Sequence, residues 1–186
     1  FDLIFLDVNL PGMDGFELCS HIRQLANHAA TPIVFLTGMT GMETRVAKLI
    51  IYACPLGALA EQLDAYLERA LRDVGRNAAH DYMPHCTLTG FFHDDAAAIP
   101  HYRAALAQAL ASAGPRGAVP IQIEGLHLTE AFHYLKLETV WVTALIQSFA
   151  GMAQSPTRLD SLRLKDWLHL SLAYQFPPEH HEPLAA

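Results

Sequence analysis

Two short stretches constrain this chain more than anything else in it: Pro84-His85-Cys86-Thr87-Leu88-Thr89 and, far downstream, Leu168-His169-Leu170-Ser171-Leu172. Each has the apolar content of a strand, and each carries His-x-Thr or His-x-Ser. Successive side chains of a strand point to opposite faces. His85 therefore projects with Thr87, and His169 with Ser171, while Cys86, Leu88, Leu170 and Leu172 turn to the other, apolar face. Laid side by side, two such strands present two imidazoles and two hydroxyls to one cleft. An imidazole titrates near neutral pH and serves as acid or base, and hydroxyls donate to charged oxygens. The pattern is that of a phosphate-ester site.

Composition narrows the setting. At 186 residues the chain is one domain, or one domain plus a fragment. It is 52% hydrophobic and 17% charged, which predicts a packed core rather than disorder. No apolar run reaches the roughly 18 to 20 residues that span a bilayer, and Phe1-Asp2 does not open a signal peptide. Cys19, Cys54 and Cys86 are odd in number and scattered, which fits free thiols in a reducing compartment such as the cytoplasm. A net charge of −7 disfavours tracking of a long nucleic-acid duplex, which needs a basic stripe. A small cyclic nucleotide or an RNA end needs only local donors. There is no initiator Met, and Leu184-Ala185-Ala186 closes on no evident element, so a truncated piece of something longer is expected.

Residues 1–50 read as a separate segment. Leu3-Ile4-Phe5-Leu6 is a continuous apolar run, as in a strand buried on both faces, and it ends at Asp7. The turn Pro11-Gly12-Met13-Asp14-Gly15 follows, then helical spacing over Phe16–Leu25, then a second buried strand, Pro32–Leu36, ending at Thr37-Gly38. This βαβ unit resembles the middle of a response-regulator receiver domain, and Asp7-Val8-Asn9-Leu10-Pro11-Gly12-Met13-Asp14-Gly15 is similar to that family's phosphoacceptor motif. The resemblance implies a partial α/β, flavodoxin-like fragment with Asp7 as phosphoacceptor, Thr37 as the switch hydroxyl and a sensor kinase as partner. The family's acidic pair and its lysine, expected before Phe1 and near residues 55–60, have no counterpart. Met42–Ile50 would be the next receiver helix. A new strand then begins at Ile51-Tyr52-Ala53 with no polar joint. That abrupt join predicts a splice, or a longer chain with residues left out.

Residues 51–186 carry the two histidine motifs. From Gly57, Leu59, Leu63, Tyr66, Leu67, Ala70, Leu71 and Val74 mark one face of a helix that Gly75 stops. A strand is expected over His85–Phe92. Asp94 and Asp95 then precede an Ala-rich helix opened by Pro100, with Tyr102, Leu106 and Leu110 as its stripe. Pro120 starts a strand through Ile121 and Ile123, and Phe132–Glu138 alternates as another. Trp141, Leu145, Phe149 and Met152 form a third helical stripe. Leu168–Tyr174 is the last strand before Pro177-Pro178. This order predicts an α+β fold of two similar lobes rather than an alternating parallel sheet.

The pair His85-Cys86-Thr87-Leu88 and His169-Leu170-Ser171-Leu172 resembles the signature of the two-histidine (2H) phosphoesterases, which include 2′,3′-cyclic phosphodiesterases and RNA 2′-5′ ligases. The resemblance covers residues 51–186. It implies a bilobal fold with pseudo-twofold lobes and a central cleft, each lobe contributing one histidine strand. His85 and His169 would be the catalytic acid and base, in an order the sequence leaves open, with Thr87 and Ser171 binding phosphate. No cofactor and no metal is implied. Tyr174 corresponds to a tyrosine near the substrate, although strand parity turns it away from His169 unless the strand ends or bulges there. Phe132 and Tyr134 could stack on a base or pack at an edge, and Lys136 could meet phosphate or simply be a surface lysine.

The remaining histidines invite blander readings. His127-Leu128-Thr129 repeats the motif but runs into polar Glu130, and is read as an ordinary loop or strand-end histidine. His93, His180 and His181 lack zinc-type spacing and are read as solvated loop and tail residues. The expected function is metal-independent opening of a nucleoside 2′,3′-cyclic, or ADP-ribose 1″,2″-cyclic, phosphate to a monoester. Two other classes remain open: a two-component protein whose receiver segment regulates the phosphoesterase, and an inactive nucleotide- or RNA-end-binding module of the same fold.

Overall fold

The computed structural model describes residues 4–7, 9–10, 13–14, 18, 21–22, 33–37, 46–113, 122–138 and 140–185. In chain order its strands are β1 (Ile4–Asp7), β2 (Asn9–Leu10), β3 (Met13–Asp14), β4 (Ile33–Thr37), β5 (Val46–Leu49), β6 (Tyr52–Ala53), β7 (Cys86–Thr87), β8 (Phe92–Asp95), β9 (Gln122–Leu128), β10 (Phe132–Glu138) and β11 (His169–Tyr174). The helices are α1 (Ala58–Asp73), α2 (Ile99–Ser112), α3 (Val140–Met152) and α4 (His181–Ala185). Helices and mostly antiparallel pairings make this an α+β chain. It divides into two compact units: Phe1–Tyr52, Thr87–Pro120 and Thr139–Asp166 form the first, and Ala53–Cys86, Ile121–Glu138 and Trp167–Ala186 the second.

The first unit is built on a sheet of order β1-β4-β5-β8. Parallel β1 and β4 register Asp7 with Leu36, and antiparallel β4 and β5 register Thr37 with Lys48. The helix expected over Met42–Ile50 is absent, because Val46–Leu49 forms β5. Residues 42–45 lie outside the described residues. Burial in β5 alternates with a period of two, Ala47 and Leu49 inward against Val46 and Lys48, and it pairs on both edges, with β4 and with β8. Two rows of hydrogen bonds outweigh a weak helical pattern. Of the first expected helix, Leu18, His21 and Ile22 are helical and the remainder lies outside the described residues.

The strand expected over His85–Phe92 is broken. β7 ends at Thr87, and residues 88–90 bond elsewhere: Leu88 N–H donates to the Ile51 carbonyl at 2.9 Å and Gly90 N–H to the Arg163 carbonyl at 2.7 Å. Thr89, fully buried, accepts the Ile51 amide on its hydroxyl at 3.1 Å. Asp94 and Asp95 do precede the helix, and they also close β8: the Asp95 carboxylate accepts the Ala97 amide at 2.8 Å at the start of the helical segment, while Asp94 is fully buried. Its carboxylate accepts from the Tyr102 hydroxyl at 2.6 Å, from the Asp95 amide at 2.7 Å and from the Thr157 hydroxyl. Burial pushes this carboxyl upward, but these bonds, with one from Ser155, outweigh it and hold the group below its ordinary value. Around it α2 and α3 bury Tyr102, Ala105, Leu106 and Ala109 against Val142, Leu145, Ile146 and Phe149.

The second unit holds the antiparallel sheet β11-β10-β9 with α1 and α4. Helix α1 runs as expected and stops at Gly75, whose φ of 112° only glycine adopts freely and whose amide reaches back to Ala70. Leu71, expected on the apolar face, is 45% exposed, because one residue past Ala70 the helix has turned about 100° off that face. The expected strand start at Pro120 and Ile121 lies outside the described residues. Leu184, where the sequence showed no evident element, lies in α4 and packs with Ala70, Ala173 and Phe176. His181, expected to be solvated, bonds ring to ring with fully buried His133 at 3.0 Å.

Burial, and after it the neighbouring His181, pushes His133 below the ordinary imidazole value of 6.5. The unfolded chain therefore takes up a proton before the folded one as pH falls. Stability carried by neutral His133 is complete above 6.5 and is lost as pH drops from there through the lowered value. Urea midpoints measured from about pH 7.5 down to 5.5 should fall, and His133→Phe should flatten that slope.

Candidate active site

The described face of β10 and β11 is set by their register. Lys136 stands opposite His169 and Tyr134 opposite Ser171, but the next pairs are His133 with Ala173 and Phe132 with Tyr174. One residue of β11 is therefore extra: a bulge at Leu172–Ala173, both buried. The bulge turns Tyr174 back to the side of His169 and Ser171, the exception that parity alone left open. All three are half-buried, while Leu170 between them is 1% exposed.

Around His169 the face is aromatic. Trp167 stacks on its ring at 4.0 Å between centroids and 30° between planes. Phe132 and Tyr134 meet it edge-on at 5.3 and 5.8 Å, and Phe132 also meets Tyr174 edge-on at 6.1 Å. His127, read from sequence as ordinary, is a strand-end residue of β9 whose ring lies flat on Tyr134, 4.8 Å away and 6° from parallel. Two residues of this face were missed in sequence. Trp167 precedes His169 by two, so the same parity that paired His169 with Ser171 could have found it. His127 faces Tyr134 only through the β9–β10 register, for which the sequence carries no signal. Lys136, considered for phosphate, is ion-paired with Glu124.

His85 belongs to the same unit as His169, as does Ser171, while Thr87 is counted with the first unit and is half-buried there. The division does not give one histidine to each unit, as the lobe picture expected. The chain crosses from one unit to the other between Cys86 and Thr87. His85 donates Nδ1–H to the Met83 carbonyl at 2.8 Å, with the Tyr82 ring edge-on at 6.0 Å. Burial, only partly offset by that bond, holds His85 below the ordinary imidazole value, so it is neutral at pH 7 with its lone pair on Nε2. The motif strands are joined at their apolar side, where the His169 backbone amide bonds the Cys86 sulfur. Burial, more than that bond can offset, pushes the Cys86 thiol up to about 11. Burial, then Tyr82 and Asp81, likewise push the Tyr174 phenol up, so it stays a donor.

Of the residues the receiver resemblance singled out, Asp7 ends β1 and Thr37 ends β4, and their side chains lie outside the described residues. Among the described residues no group of three or more His, Cys, Asp or Glu converges as a metal site, and no helix is long and apolar enough to cross a membrane. His93 is not a solvated loop residue but lies in β8, bonded to Asp160.

Residues 1–53 match the family model of the response regulator receiver domain. The transcriptional regulatory protein SpaR of Bacillus subtilis is 42% identical over 80 residues, which cover 39% of this chain and 35% of that protein. The chain is also similar to proteins of another kind. Ecdysteroid-phosphate phosphatase of Drosophila melanogaster is 29% identical over 172 residues, 74% of this chain and 23% of its own length. Ubiquitin-associated and SH3 domain-containing protein B of Homo sapiens is 28% identical over 134 residues, 70% of this chain and 20% of its own. The chain thus spans at most about a third of these relatives. No solved structure matches it.

A thiol with so high a pKa, 3% exposed, carries almost no thiolate. Cys86 should therefore resist iodoacetamide at about pH 8 in the folded chain and react once urea unfolds it, as peptide mass mapping would read.

Proposed function

We propose that residues 51–186 act as a 2H-type, metal-independent phosphodiesterase. It would open a nucleoside 2′,3′-cyclic phosphate, or the 1″,2″-cyclic phosphate of ADP-ribose, to a monoester. The observation that carries the reading is the bulge at Leu172–Ala173, which aligns His169, Ser171 and Tyr174 on one aromatic-walled face. A flat base suits the rings of Phe132 and Tyr134, and hydroxyl donors suit the phosphate oxygens.

His85, neutral and with its lone pair on Nε2, takes the role of base. It removes a proton from water as the water oxygen bonds to phosphorus. His169, protonated, returns a proton to the ribose oxygen as the P–O bond breaks. Ser171 and the protonated Tyr174 donate to the non-bridging oxygens, where charge grows. The similarity to a protein named ecdysteroid-phosphate phosphatase is in keeping with phosphoester chemistry and no more specific than that.

Hydrolysis of adenosine 2′,3′-cyclic phosphate in excess EDTA should proceed, and His85→Ala or His169→Ala should each lower it roughly 10²–10⁴-fold. The acidic limb of kcat/KM should lie below pH 6.5, because burial lowers the base, and the rate should fall again at higher pH as the acid His169 loses its proton. Loss of turnover on chelation, or full turnover in either variant, overturns the assignment.

A second reading rests on the receiver match over residues 1–53. There a sensor kinase phosphorylates Asp7, and the phosphoryl group regulates the downstream site. Transfer of label from a phosphorylated sensor kinase to the chain, abolished by Asp7→Asn, would support it, and an unlabelled chain would overturn it.

A further inference from the structure

The first unit carries a cleft of about 500 Å³ that the reaction above does not use, lined by Lys48, Phe91, His93, Asp160, Ser161 and Arg163. Its floor follows from strand alternation. Lys48 of β5 is the register partner of His93 of β8. Ala47, Leu49, Phe92 and Asp94 point into the core, so Lys48 and His93 share the outer face. The segment 159–165 is laced along it. Leu159 N–H donates to the His93 carbonyl at 2.8 Å, and Lys165 N–H to the Leu88 carbonyl at 2.9 Å. Asp160 is thereby brought onto the Nδ1 of His93.

The side chains are arranged to leave positive charge exposed. Asp160 is the acidic residue of the cleft; its hydrogen bond goes to His93, which first of all keeps the carboxyl below its ordinary value, and Arg163 acts on it more weakly, through charge alone. Lys48 Nζ lies 3.8 Å from the centroid of the Phe91 ring, which fixes the ammonium without neutralising it. The Arg163 guanidinium lies over Gly90, where a Cβ would sit 3.6 Å from its Nε and Nη2. The Ser161 hydroxyl adds a donor, and Phe91 is 41% exposed beside the two cations.

We propose that this cleft is a binding site for a phosphomonoester dianion, with Lys48 and Arg163 gripping the phosphate oxygens and Ser161 donating to them. A guanidinium fork and an ammonium together match the two charges and the acceptor geometry of that group. The site is independent of the paired histidines.

Calorimetric titration of the full chain with inorganic phosphate, adenosine 3′-monophosphate and adenosine, at low salt, separates the sources. Both phosphates should bind and adenosine should not, and a nucleotide that binds tighter than phosphate would add a contact to the exposed Phe91 ring. Lys48→Met and Arg163→Gln should each weaken binding of inorganic phosphate about tenfold, as loss of a charge-assisted bond does. Turnover of the cyclic phosphate should be unchanged in both. Phosphate should shift the amide resonances of Gly90, Phe91 and Arg163, also in a His85→Ala/His169→Ala chain. Undiminished phosphate affinity in the Lys48→Met/Arg163→Gln chain, with its melting temperature unchanged, overturns the proposal, as do shifts confined to residues outside the cleft. Loss of turnover in the histidine variants bears only on the phosphodiesterase.

Discussion

One extra residue in β11 governs which side chains meet on the candidate face. With perfect alternation, Tyr174 would follow Leu170 and Leu172 toward the core. The bulge lets Leu172 and Ala173 both stay buried and returns the next side chain to the side of His169 and Ser171. The apolar residues gain by it, since each remains out of water. The polar ones gain too, since a phenol buried in the core would need its own partner. Across the bulge Phe132 takes Tyr174 as its register partner, and the aromatic wall around His169 is complete.

Burial then sorts the protons. A low-dielectric setting favours the neutral form of any group, which means opposite shifts for neighbours of opposite type. His85 is pushed down and Cys86, next to it, is pushed up to about 11. Both are uncharged at neutral pH, but the consequences differ. A neutral imidazole keeps a basic lone pair, whereas a neutral thiol is unreactive. The Met83 carbonyl settles which nitrogen of His85 holds the proton.

The boundary between the two family resemblances does not coincide with a structural one. The receiver match runs through residue 53, but β5 bonds to β8, and Ile51 bonds to Leu88 and Thr89. The last part of the matched stretch is held by the chain that follows it. A receiver has a helix there, while one of the two strands that pair with β5 lies more than forty residues downstream.

Whatever depends on neighbours within a few residues was legible from the sequence. The stripes of α1, α2 and α3, the Gly75 stop, the α+β content and the shared face of His169 and Ser171 follow from the periods 3.6 and 2, which are local geometry. Only the tertiary structure decided where the period fails and who stands opposite whom. It broke the strand after Thr87, made a strand of Val46–Leu49, bulged β11 under Tyr174 and laid His127 on Tyr134. Each of these is a choice among hydrogen-bond partners distant in sequence. It is settled by which arrangement leaves the fewest buried polar groups unpaired, and no local pattern encodes that.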